Sequence, residues 1–139
     1  MDKHFNDVMA VHFEVFGQDV DLDFYGDDGC FAVRSDDGRL TGYLLCQVVD
    51  DFADLHYVVV VPEFRRRGFG VMLMREFLNS MTNRGVRNVT LEVSSRNVAA
   101  ISLYDACGFE RVGMRRGYYR DGSDGIVMNL ELLGVMPGE

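Results

Sequence analysis

Three groups of residues in this chain could do chemistry. The first is Arg65-Arg66-Arg67-Gly68-Phe69-Gly70, which follows the valine run Val58 to Val61 and opens an amphipathic segment. A strand, a glycine- and arginine-rich turn and a helix start aim unpaired backbone N–H groups and the positive end of a helix dipole at one point, where a phosphate can be held. The second is Glu92, set among Val89, Leu91 and Val93. A carboxylate in an apolar strand is costly unless it faces a cleft or a partner, so Glu92 is either half of a buried ion pair or a base. The third is Asn97, which can cap a helix, with Tyr104 on that helix as either core or catalyst.

The glycine turn can be tested against the common phosphate binders. A nucleoside-triphosphate loop needs Gly-Lys-Ser/Thr after four intervening residues, and the only lysine is Lys3. A dinucleotide fingerprint needs a third glycine or alanine where Leu73 stands, and an acid at the end of the next strand, whereas Glu92 falls in mid-strand. Neither pattern fits.

These residues need elements to hold them. Apolar spacing predicts a helix over His4 to Phe16, ended by Gly17, then an acidic loop with one helical turn over Asp19 to Gly29. Cys30 to Arg34 and Leu40 to Val49 read as a hairpin around Asp37-Gly38. Leu55 to Val61 reads as a strand buried on both faces and stopped by Pro62. A helix from Gly68 to Asn83 places Val71, Met74, Leu78 and Met81 on one stripe beside Phe77, with Gly85 as its cap. Val86 to Ser94 then completes a strand-helix-strand crossover with parallel pairing. A helix from the Asn97 cap to Ala106 buries Ala99, Ile101, Leu103 and Tyr104, and Phe109 to Gly113 and Gly125 to Leu132 are the last strands. The expected fold is one α/β or α+β domain over residues 1–139, with a mixed sheet.

Composition limits the partners. With 139 residues and 47% hydrophobic content the chain can bury a full core. No apolar stretch approaches the ~18 residues of a membrane span and the first residues lack an apolar signal core, so a cytoplasmic protein without a membrane partner is expected. Cys30, Cys46 and Cys107 share no metal-type spacing and read as small buried hydrophobes, so no metal is expected. The net charge of −8 argues against nucleic acid. It is unevenly spread: 13 acids face three basic residues up to Asp54, and nine face eleven from Leu55 on. The basic half suits a polyanionic small molecule, and the acidic half either confers solubility or attracts a cationic acceptor.

One ordered set of motifs matches a known family. Arg-x-x-Gly-x-Gly (Arg65, Gly68, Gly70), Asn97-x-x-Ala100-x-x-x-Tyr104 and Cys107-Gly108-Phe109 together resemble the GNAT acetyltransferase superfamily. Leu91-Glu92-Val93 and Arg115-Arg116-Gly117-Tyr118-Tyr119 through Asp124 to Met128 are most similar to its RimI-type ribosomal-protein-alanine N-acetyltransferases, over Ala53 to about Leu130. The resemblance implies a GNAT fold, a mixed central sheet with a splayed parallel strand pair flanked by helices. It also implies acetyl-CoA as co-substrate. Backbone groups of Val58, Val59 and Val60 would lie along the acyl arm, and Arg66, Arg67, Gly68, Phe69, Gly70 and Val71 would give N–H groups to the pyrophosphate. Asn97 would hydrogen-bond the arm. Glu92 would take the proton from the amine and Tyr104 would return one to the CoA sulfur.

The acceptor side matches less closely. This chain starts almost at the first helix, without the family's opening strand, and has no tryptophan, so Asp19 to Gly29 replaces the family's Pro-Trp segment. Tyr118 and Tyr119 match a tyrosine pair beside the peptide, or they pack a hairpin. Residues 1–54 would form the acceptor side and residues 55–139 the acetyl-CoA side. The acceptor is expected to be a protein N-terminal α-amine; a small amine such as a polyamine or amino-sugar, a protein lysine, or a non-catalytic acyl-CoA-binding module are the alternatives, and a homodimer is compatible with each.

Overall fold

The computed structural model describes residues 6–132. Helix α1 (Asn6–Phe16) turns Val8 and His12 into the core and stops at Gly17, where a φ of 68° breaks the helical path. The expectation of a missing opening strand concerns residues outside those described. The acidic segment that follows holds helix α2 (Leu22–Tyr25), capped by the Asp21 carboxylate accepting from the Asp23 N–H, and a 3-10 turn at Asp27–Gly29.

Strands β1 (Cys30–Arg34) and β2 (Leu40–Val49) pair antiparallel, from Cys30↔Leu45 to Arg34↔Leu40, with the bounds expected. Gly38 (φ 87°) supplies their turn. Strand β3 (Phe52–Val60) starts three residues before the expected Leu55, because its parallel ladder with β4 (Asn88–Ser94) begins at Phe52↔Asn88 and runs to Leu55↔Leu91. Between them lies α3 (Phe69–Asn83), closed by two bonds, Gly85 N–H to Thr82 and Val86 N–H to Met81, with Gly85 at φ 80°. Helix α4 (Val98–Ala106) ends the same way: Gly108 bonds to Asp105 and Phe109 to Tyr104. Strands β5 (Glu110–Arg115) and β6 (Gly125–Glu131) pair antiparallel, and β6 pairs antiparallel with β4. The strand order is β1-β2-β3-β4-β6-β5, a mixed sheet with helices between its strands.

The chain forms two compact units that interleave in sequence. One contains residues up to Gln47 and Tyr57–Phe77, the other Val48–His56 and residues from Leu78 on. Neither coincides with the acidic first 54 residues, because β3 contributes its two halves to different units. In the first unit, Val8, Leu22, Leu40, Tyr43, Leu45 and Val59 form the core. Gly42 is needed there: a Cβ on it would lie 2.8 Å from the Val59 carbonyl oxygen and 2.9 Å from a Leu73 methyl.

Three burial expectations need correction. In the valine run, Val59 is buried while Val58 and Val60 are only half-buried, so alternation along the pleat persists and the strand is not dry on both faces. On α3 the buried stripe is Leu73, Met74, Phe77 and Met81; Val71 is exposed, because it falls in the first turn, ahead of the point where Leu73 seats over Gly42. On α4, Ile101 and Tyr104 are buried and Ala99 is exposed, leaving a narrower apolar face than the composition suggested.

Candidate functional site

In the first unit, the turn before α3 takes an unusual backbone path. Arg66 has φ 64° and Gly68 has φ 83°. Left-handed residues interleaved with ordinary ones turn successive N–H groups toward one side, the geometry of an anion-binding nest. Arg66 is strained in this pose, as a non-glycine residue in the left-handed region. At Gly68 a Cβ would meet nothing within 4 Å, so its conformation, more than close packing, demands glycine. The first intrahelical bond is Met72 N–H to the Gly68 carbonyl, at 3.1 Å, so the N–H groups of Phe69, Gly70 and Val71 belong to the open helix end.

Two of the arginines brace this turn. Arg65 Nε donates to the Val60 carbonyl at 3.1 Å, tying the turn to the end of β3. The Arg67 guanidinium lies 5.7 Å from the Phe64 ring centroid, with Arg39 at 5.0 Å from the same ring and ion-paired to Glu63. What the turn offers a phosphate is its backbone, with exposed positive charge around it.

In the second unit, Glu92 points from the middle of β4 with a side chain 23% exposed. Oε1 faces Arg115 Nε at 3.5 Å, while Oε2 is buried and accepts no hydrogen bond from the protein. The Arg115 guanidinium lies over the Tyr118 ring at 5.1 Å, and Tyr118 meets Tyr119 edge-on at 5.1 Å. Burial, then the nearby Glu92 charge, pushes the Tyr119 hydroxyl above its ordinary pKa. Tyr104 is more strongly affected: burial first, then Cys107 and Tyr119, push it up to about 12. Glu92, Tyr119 and Tyr104 are thus electrostatic neighbours in succession. Asn97 caps α4, its Oδ1 accepting from the Ala100 N–H at 3.2 Å, which leaves the amide nitrogen as the donor it can offer a ligand.

A network not foreseen from the residues holds the tyrosine loop. Gly117 N–H bonds to the Asp124 carboxylate at 2.9 Å, Ser95 and Asp124 exchange two bonds, and the Ser94 and Ser123 hydroxyls meet at 2.7 Å. Ser123 is buried, and that pairing satisfies its hydroxyl. Arg115 and Gly125 were also missed as neighbours of Glu92. Their only sequence signal was membership of the Arg115-to-Met128 motif, which carries no information on which side chains meet.

Among the described residues no helix is long and apolar enough to cross a membrane, and no group of three metal-ligating side chains gathers. The profile of the acetyltransferase (GNAT) family matches residues 3–109. The [ribosomal protein bS18]-alanine N-acetyltransferase of Salmonella typhimurium is 39% identical over 99 residues, covering 69% of this chain and 67% of that protein, about two thirds of its length. The crystal structure of the ribosomal-protein-S18-alanine N-acetyltransferase from Escherichia coli superposes with a TM-score of 0.78 at 27% identity, over 100% of this chain and 95% of that one. Ard1 from Thermoplasma volcanium gives a TM-score of 0.82 at 25% identity, over 94% and 93% of the two chains.

Proposed function

This chain belongs to the acetyltransferase (GNAT) family, and from that premise we propose that it transfers the acetyl group of acetyl-CoA to a protein N-terminal α-amine. The names of its relatives favour an N-terminal alanine of a ribosomal protein as acceptor. The observation that carries the reading is Glu92: a carboxylate in mid-strand with one buried oxygen that no protein donor satisfies, next to Tyr119, which in turn neighbours Tyr104. Such an oxygen is suited to receive a proton from a cation brought by a ligand.

The chemistry then runs as direct transfer. The amine arrives as ammonium and Glu92 takes one proton. The freed lone pair attacks the thioester carbonyl carbon, and a backbone N–H in Val58–Val60 steadies the oxyanion. The C–S bond breaks as the tetrahedral intermediate collapses, Tyr104 gives its proton to sulfur, and the proton lost from nitrogen as the amide forms restores the tyrosine. Glu92 releases its proton to solvent. Arg66–Val71 hold the pyrophosphate through the backbone, Asn97 donates to the pantetheine arm through its amide nitrogen, and Tyr118 and Tyr119 flank the acceptor.

Thiol release from acetyl-CoA should be measured with a short peptide beginning in alanine, an N-terminally blocked peptide containing lysine, a polyamine and an amino-sugar. Turnover is expected with the free α-amine; tight CoA binding with no turnover on any amine overturns the reading. Glu92→Gln should slow the reaction most at low pH, where more of the α-amine (reference pKa about 7.7 to 8.0) needs deprotonation, and should leave CoA affinity nearly intact. Loss of CoA binding instead would make Glu92 structural.

A further inference from the structure

Glu92 stands on β4 and Arg115 on β5, with β6 between them. Adjacent strands are about 4.8 Å apart, so side chains two strands away meet only if the residue between them yields the space. The residue between them is Gly125. It pairs with Ser94 on one side and Arg115 on the other, while Glu92 pairs with Val127, two residues along β6. Glu92, Gly125 and Arg115 therefore share one face of the sheet. A Cβ at Gly125 would fall against Glu92 Oε2, with Cδ at 3.2 Å and Cγ at 3.4 Å. The glutamate lies across the bare glycine to reach the arginine.

A bulge selects the arginine. Arg111 pairs with Met128 but Gly113 with Val127, so Val112 is an extra residue in β5. Were β5 to run on in the Arg111↔Met128 register with no bulge, Met114, and not Arg115, would stand opposite Gly125. Bulges that re-aim a side chain recur beside active sites. The guanidinium also stacks on the Tyr118 ring, 5.1 Å from its centroid.

Resting on the reading of Glu92 as base, we propose that Arg115 is a positioning residue, which holds Oε1 of Glu92 across Gly125 so that Oε2 is the oxygen that takes the acceptor's proton. The guanidinium holds the carboxylate in one pose before the acceptor arrives, and its loose 3.5 Å contact leaves the second oxygen uncommitted. Gly125 is the seat that permits the pose.

The test uses acetyl-CoA and an alanine-initiated peptide, with kcat, KM and the pH profile measured for Arg115→Gln, Arg115→Lys and Gly125→Ala, each alone and combined with Glu92→Gln. Arg115→Gln is expected to lower kcat about tenfold with KM for acetyl-CoA close to the parent, since the carboxylate loses the contact that fixes its pose. Arg115→Lys should recover part of the lost kcat. Gly125→Ala should lower kcat about tenfold or more by displacing the carboxylate, with the melting temperature and KM for acetyl-CoA close to the parent. In the Glu92→Gln background both changes should be silent. An unchanged kcat in Arg115→Gln, or equal losses with and without the carboxylate, overturns the proposal and leaves the base assignment standing. Full activity of Glu92→Gln alone overturns the base assignment, and this proposal falls with it.

Discussion

Tyr104 is a residue whose chemistry the fold alters. Burial on α4 pushes its pKa up to about 12, so in the proposed reaction it would enter protonated. Two consequences can be measured. Tyr104→Phe should lower kcat about a hundredfold with little change in KM for acetyl-CoA, the size expected for loss of one positioned proton donor. The parent's pH profile should show no falling limb from this tyrosine below about pH 10; such a limb, absent from the Phe variant, would count against a buried, protonated Tyr104. The arginines before α3 show the opposite relation between type and role. The side chains of Arg65 and Arg67 are engaged with Val60 and Phe64, so in the proposed reading the backbone there would receive the phosphate, as expected from the sequence.

At the scale of elements, the helix ends are both structural and chemical devices. Asn97 satisfies an N–H of α4 that would otherwise lack a partner, and in the proposed reading its amide nitrogen would donate to the pantetheine arm. Substitution can separate the two roles. Asn97→Ala should cost about 1 kcal/mol in urea unfolding and also raise KM for acetyl-CoA. Asn97→Asp keeps an oxygen for the cap but has no N–H, so stability should be retained while KM rises; an unchanged KM in both variants would reduce Asn97 to a cap. The open start of α3 follows from the same rule. Its first N–H groups have no partner within the helix, and the left-handed Arg66 and Gly68 turn neighbouring N–H groups the same way.

At the scale of the whole molecule, stability should depend on pH through His12. It is 2% exposed in the first unit, with Nδ1 2.8 Å from the Tyr43 hydroxyl and its ring edge-on to Tyr57. Burial lowers its pKa below 6.5, so the folded state holds it neutral while the unfolded chain protonates it first. The unfolded state then binds more protons as pH falls below about 6.5, and stability must fall with it, by at most about 1.4 kcal/mol per pH unit. Thermal melts at pH 7.5 and 5.5 should show a larger drop for the parent than for His12→Gln; equal drops would remove His12 as the source.

The limits of sequence reasoning follow from how far each feature reaches along the chain. The bounds of β1 and β2, the Gly85 cap of α3 and the Asn97 cap of α4 were all legible, because each depends on residues within one turn or one hairpin. The strand-helix-strand order around the phosphate turn, and with it the family resemblance, was legible for the same reason. Burial was less so: Leu73 is inside and Val71 outside because Gly42, some 30 residues earlier, makes room for one and not the other. What surrounds Glu92 was decided by tertiary structure alone. Arg115 and Gly125 reach it through the register of three strands, and that register turns on one extra residue at Val112, a property of pairing that no local pattern of side chains encodes.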